Sequence, residues 1–182
     1  VPVSVVIWTT TPWTLPANEA VALRAAFRYT LVEVETATGR ERLILASELC
    51  DASLARYGLR GLERLATFAG YVVAVIQLER LELAHPFLPK RVPVILGDHV
   101  TLEAGTGAVH TAPAHGQEDF VVGQRYGLPV VNPVGPDGRF LPGTPLVGGQ
   151  RCNEANAAIV QTIAEAQRLL QHMPYQHSYP HC

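Results

Sequence analysis

Short apolar segments broken by turn-forming residues run along most of the chain. Residues 3–8 are apolar and rich in β-branched side chains, which predicts a strand. Pro12 and Pro16 lie in 9–18, where each removes an amide donor and turns its predecessor away from helical geometry, so an ordered, extended loop is expected. A strand resumes over 19–23. Leu31, Val32 and Val34 predict a strand over 29–35, Gly39 marks a turn at 36–40, and 42–46 completes a hairpin. Ser47 is placed to cap a helix through about Tyr57, closed by Gly58. Residues 62–68 and 71–83 are mixed: Val72, Val73, Val75 and Ile76 favour strand, whereas 78–83 alternates poorly.

His85, Pro86, Phe87 and Pro89 mark a loop. Strands are expected at 92–96, 99–102 and 107–111, with a turn at Gly97-Asp98. Pro113 to Gly116 stops the last of these, and 118–126 reads as a helix closed by Gly127. A strand at 129–134 precedes the turn signal Gly135-Pro136-Asp137-Gly138 and a Gly/Pro-rich loop over 141–150. Asn153 can cap the longest helix, to about His172, with Ile159, Ile163, Ala166, Leu170 and Met173 on one buried face. Many short strands with two or three helices predict an α+β fold with a distorted β-barrel-like core, not an alternating βαβ sheet.

Composition sets the class. The 182 residues are 48% hydrophobic and 16% charged, enough for one globular domain spanning 1–182. No apolar run is long enough to span a bilayer, so a soluble protein with no membrane partner is expected. A net charge of −2 argues against a strongly electrostatic nucleic-acid binder, yet allows an acceptor held mainly by other parts of a larger protein. Three cysteines make no disulfide framework, and with no signal peptide a reducing, cytoplasmic setting is expected. The chain starts in an apolar run without Met and stops abruptly after His177-Ser178-Tyr179-Pro180-His181-Cys182, which reads as a domain cut from a longer protein.

Two stretches carry the candidate chemistry. Residues 105–120 place Gly105, Gly107, His110, His115, Glu118 and Asp119 where a strand turns into a helix, and 8–18 holds Trp8, Thr9, Thr10, Thr11, Trp13, Thr14 and Asn18. The threonines offer donors and acceptors on a stiffened backbone, or equally satisfy a strand end. Asn18 serves either a site or a local loop bond, and the tryptophans either a core or a stacking surface. Asp119 near a helix start is either an ordinary first-turn carboxylate or one kept ionised by the helix dipole to hold an ammonium group. Glu118 is its neighbour but points elsewhere around the helix. Spacing argues against a metal on His99, His110, His115 and Asp119, because Pro113 breaks regular structure between the histidines. No nucleophile elbow and no phosphate-loop lysine is present.

The Thr-rich block 8–18, together with Gly105-Thr106-Gly107-Ala108-Val109-His110-Thr111-Ala112-Pro113 through Asp119, closely resembles the inserted editing domain of isoleucyl-tRNA synthetases. Residues 95–102, the turn at 132–138 and the tail 177–182 resemble the bacterial form. The stretch from about 60 to 76 matches least. Ala114 stands where many relatives have Gly, and Glu118 where Asp is common. Thr11-Pro12, where valyl and leucyl relatives usually carry Arg-Pro, and His110, where the valyl pattern carries Lys, favour the isoleucyl type.

The resemblance implies a distorted barrel with surrounding helices, and hydrolysis of the ester of Val-tRNA(Ile), with Val-AMP as a further candidate substrate, by a double sieve that rejects Ile. It implies no cofactor and no metal. The partners implied are the valine-bearing 3′ end of tRNA(Ile) and the remainder of the parent synthetase. Asp119 would bind the α-ammonium and His110 would limit the side-chain pocket. Thr9, Thr10, Thr11, Thr14 and Asn18 would hold the terminal adenosine, ester and attacking water, with Thr10, Thr11 and Asp119 as the catalytic set and Trp8 at the substrate. The alternatives are a non-catalytic module that binds a tRNA 3′ end or aminoacyl group, or the editing domain of a valyl- or leucyl-type synthetase.

Overall fold

A computed structural model describes residues 1–68 and 77–175. Its strands form two four-stranded sheets. In the first the order is β1 (Val3–Val5), β4 (Gly39–Ala46), β3 (Tyr29–Thr36), β5 (Gly61–Phe68). In the second it is β6 (Glu82–Ala84), β7 (Arg91–Leu96), β2 (Ala20–Leu23), β8 (Val109–Thr111). β1 runs parallel to β4 and β2 parallel to β7; the other pairings are antiparallel.

Alternation along the strands explains the layering. On β4, Ile44 and Ala46 join Val21 and Leu23 of β2 in a core shared by both sheets, whereas Leu43 and Leu45 face the other way, toward Cys50 and Leu54 of helix α1 (Ser47–Arg56). Strand β2 is buried along its whole length for the same reason. Val21 and Leu23 enter the shared core, while Ala20 and Ala22 pack with Val122 of helix α2 (Gln117–Tyr126). A further core joins Leu15, Phe140 and Val147 to Ala155, Ile159 and Ile163 of helix α3 (Cys152–Glu165).

The expected α+β class is observed, but the described strands form two open sheets and no closed barrel. The hairpin, α1 and α2 lie where their sequence patterns place them. Residues 12–17 do not stay extended: Pro12–Ala17 is a 3-10 helix, with Pro12 at a first-turn position that needs no amide donor. No strand forms at 99–102, which lies in a turn and bend. None forms at 129–134 either, where Val130 and Val131 are exposed and a single bridge joins Val134 to Phe140. Helix α3 is capped at Arg151, not Asn153, with Arg151 N donating to the Glu154 carboxylate at 3.2 Å. It ends at Glu165, before the left-handed Gln167, so Ala166 and Met173 are exposed. Ser47 begins α1 but bonds Thr30 Oγ1 at 2.8 Å, with Ala46 at the cap. The strand preference over 71–76 and the tail 177–182, with Cys182, lie outside the described residues.

The loop 105–108 is fastened to the first sheet. Ala46 N donates to Thr106 O at 2.9 Å, Thr106 Oγ1 to Val6 O, and Tyr29 Oη to Gly107 O at 2.7 Å. Gly107 has φ +76°, and a Cβ there would fall on the Ala46 methyl. Gly107→Ala is therefore expected to destabilise the fold by about 2–4 kcal/mol through left-handed strain and overpacking. A denaturant midpoint equal to wild type would show that Ala46 yields at no cost.

Candidate active site

The site lies at the edge strand β8, between the 3-10 helix and the start of α2. A cleft of about 290 Å³ is lined by Trp8, Thr9, Thr10, Thr11, Thr14, His110 and Asp119, with His99, Thr101, Ala104, Val109, Ala112 and His115 completing the wall. The two candidate stretches of sequence thus meet across one cavity. Asn18 is not among the lining residues. It is buried, and its Oδ1 accepts from Ala20 N at 3.2 Å, which starts β2.

β2 places His110 opposite Val21 in an antiparallel pair, and Glu19 N extends the ladder by donating to Thr111 O. The His110 ring is buried, with Nε2 3.0 Å from Thr14 Oγ1. Thr14 Oγ1 also donates to Thr11 O at 2.9 Å. A carbonyl only accepts, so the single hydroxyl hydrogen is committed there and Thr14 must accept from His110. The network therefore assigns the Nε2–H tautomer, leaving the buried Nδ1 without a partner. Burial, reinforced by His85 and His115, pushes the His110 pKa down to about 4, so the ring is neutral at pH 7.

The threonines divide the two readings between them. Thr9 Oγ1 accepts from Thr11 N at 3.1 Å, a local turn bond. Thr11 Oγ1 lies 3.5 Å from the hydroxyls of both Thr9 and Thr14, at the limit of hydrogen bonding. Thr10 lines the cleft and makes no hydrogen bond among the described residues, so its hydroxyl is free for another molecule.

Asp119 is the third residue of α2 and folds back over Gly116, where an added Cβ would crowd the carboxyl at 3.1 Å. Its Oδ2 accepts from Ala112 N at 2.9 Å, fixing the carboxylate to the end of the turn that follows β8. Burial pushes its pKa above the ordinary carboxylate value, opposed by that bond and by His99. The direction is opposite to what the helix dipole alone predicts, because desolvation outweighs it. Among the described residues Asp119 is the only carboxylate lining the cleft, and Glu118 beside it is exposed to solvent.

His99 and His115 are lining residues that the sequence suggested only as metal ligands. His115 stands edge-on to Trp13 with centroids 5.0 Å apart, and burial lowers its pKa. The His99 ring occupies the space a Cβ on Gly97 would need. The Nε2 atoms of both rings are buried without partners. No group of three or more His, Cys, Asp or Glu with metal-holding geometry occurs among the described residues. No helix among them is long and apolar enough to cross a membrane.

Comparison with known proteins gives this arrangement a family. The family model for the leucyl-tRNA synthetase editing domain matches residues 77–147. An isoleucine–tRNA ligase of Nitrosococcus oceani is 57% identical over 100% of the chain, and one of Aeromonas salmonicida is 58% identical over 100%. The chain spans only about a fifth of these relatives, 19% and 18% of their lengths. A solved structure described as the crystal structure of GlLeuRS-CP1 superposes with a TM-score of 0.70 at 15% identity, covering 95% of this chain and 85% of that one, which shows a shared fold. The chain belongs to the editing-domain family of aminoacyl-tRNA synthetases. Within it, the chain matches the editing segment of isoleucine–tRNA ligases.

The depressed His110 pKa makes a prediction about acid. The unfolded chain takes up this proton near pH 6.5 and the folded chain only near 4. Stability is therefore full above pH 6.5 and declines as pH falls toward 4, by roughly 3 kcal/mol from His110 alone. His85 and His115 shift in the same direction and add to the loss; Asp119 shifts upward and acts against it. Urea midpoints should fall between pH 6.5 and 4, and fall less in His110→Gln, which keeps an Nε2 donor without the titration.

Proposed function

We propose that residues 1–182 act as one editing unit of a larger synthetase, hydrolysing the ester that joins valine to the 3′ end of tRNA(Ile). The observation that carries this reading is the lone carboxylate. Among the described residues that line the cleft Asp119 is the one acidic group, beside hydroxyls, imidazoles and apolar atoms, which suits a substrate with a single ammonium. In this reading the α-ammonium pairs with Asp119, whose bond from Ala112 N sets its direction.

The amino-acid side chain lies against His110. One methylene separates Ile from Val and is worth only about 1–3 kcal/mol in an apolar pocket, isoleucyl enzymes being the standard case from which that value comes. A second, smaller chamber that excludes Ile sterically achieves what the first cannot. The neutral, hydrogen-bonded His110 ring is a rigid stop for this purpose. Thr10 and Thr11 hold the ester and the attacking water, Thr9 and Thr14 fix the turn that presents them, and Trp8 flanks the terminal adenosine. Asn18 contributes by starting β2 and not by touching substrate.

The reaction adds a water oxygen to the ester carbonyl carbon and breaks the bond to the ribose oxygen, which takes a proton; free valine and tRNA leave. The His110 Nδ1 is buried with no partner among the described residues, and this reading gives it no proton transfer. Catalysis then rests on positioning an ordered water within the cleft, a large effect in its own right.

Asp119→Asn retains an oxygen for Ala112 N and removes the charge. It should lower Val-tRNA(Ile) deacylation by about 10- to 100-fold, the worth of a charged hydrogen bond, with an unchanged melting transition. Full activity would remove Asp119 from ammonium binding. His110→Ala should open the chamber and let Ile-tRNA(Ile) be hydrolysed, and undiminished rejection of Ile would remove His110 from the size limit. Binding of a non-hydrolysable valyl-adenosine mimic without any turnover of Val-tRNA(Ile) would make the chain a binding module.

A further inference from the structure

Three successive residues of the 3-10 helix are each tied to a different element. Trp13 N donates to Asn156 Oδ1 of α3 at 2.9 Å, Thr14 accepts from His110 of β8, and Leu15 O lies 3.0 Å from His85 Nε2. His85 sits in the loop between β6 and β7, outside the cleft, and is buried. Its Nδ1 accepts from Leu88 N at 3.0 Å and from Phe87 N at 3.3 Å. Nδ1 therefore carries the lone pair and Nε2 the hydrogen, which is donated to Leu15 O. One neutral imidazole clamps the loop to the 3-10 helix, and burial lowers its pKa in keeping with the neutral form. The Phe87 ring, in a T-shaped contact with His85 at 4.6 Å between centroids, and the ion pair of Lys90 with Glu19 at 2.8 Å close the same junction.

We infer that His85 is a positioning residue that sets the specificity of the cleft. Thr14 is chained to Leu15, so whatever holds the Leu15 carbonyl also holds the hydroxyl that fixes the His110 ring. The bond matters to this orientation more than to folding, because Leu15 O retains a second donor in Asn18 N at 3.0 Å. Loss of the clamp lets the 3-10 helix shift along β8, which frees the His110 ring to turn and the chamber beside it to enlarge. The specificity consequence rests on the editing reading of the site; the effect on His110 does not.

Two substitutions separate the ends of the imidazole. His85→Asn supplies an oxygen where Nδ1 was, which keeps the loop bonds and cuts the tie to Leu15. His85→Gln supplies an amide where Nε2 was, which keeps that tie. Long-range nitrogen–proton correlation spectra of the folded chain at pH 7 report the His110 tautomer. Wild type and His85→Gln should both show Nε2–H, whereas His85→Asn should show a mixture or exchange broadening. In deacylation assays the Val/Ile preference should fall by about 10-fold or more in His85→Asn, the discrimination carried by one methylene, and recover in His85→Gln. A folded His85→Asn with the wild-type His110 signature and wild-type Val/Ile preference overturns the inference. Wild type that hydrolyses neither ester refutes the editing reading alone, and the His110 spectra then decide the positioning role.

Discussion

The attachment of the 105–108 loop to the first sheet is the constraint on which the cleft depends. Strand β8 belongs to the second sheet, yet the chain that feeds it is held by Ala46, Val6 and Tyr29 of the first. Those bonds fix the relative height of the two sheets at the place where β1 leads into Trp8 and the threonines. Both walls of the cleft are consequently positioned by the same few backbone groups. Tyr29 contributes twice, accepting from Arg24 N at 2.9 Å while donating to Gly107 O, and burial raises its pKa to about 12 so that it stays a donor. The close approach of Gly107 to Ala46 is what leaves room for these bonds and no room for a side chain.

The site is polar in composition, and burial works against charge on several of its groups. Burial lowers the pKa values of His85, His110 and His115 and raises that of Asp119, each change disfavouring the charged form. Of the cleft's imidazoles, that of His110 serves as a rigid, hydrogen-bonded shape. In the proposed reaction water is a held reagent, and positioning supplies the rate.

Much of this was legible in the sequence, for identifiable reasons. Strands buried on both faces, such as β2, are short apolar runs, and the Gly127 stop of α2 is a left-handed cap that only a few residue types accept. His110 and Asp119 stood out because they flank a strand-to-helix turn, and both line the cleft together with Thr10. The Pro-bearing 3-10 helix was not legible, since two prolines signal irregular backbone without saying which kind. Residues 129–134 carry a strand-like pattern, but an exposed segment with one bridge has no partner strand to realise it. Asn18 sits within the Thr-rich motif yet turns inward to the backbone, and sequence proximity cannot reveal which way a side chain faces. His85 was missed because its partners, Leu15 on one side and Phe87 and Leu88 on the other, meet only after folding.

The ring of His99 folded over Gly97 has an engineering consequence. Part of the cleft's outline is set by a methyl group that is missing two residues away from the wall it shapes. Position 97 is therefore a volume dial: restoring its side chain displaces His99 while every lining residue keeps its identity. Laboratory evolution toward larger or smaller guests could turn on that glycine without one substitution inside the chamber, and libraries restricted to lining positions would never sample it.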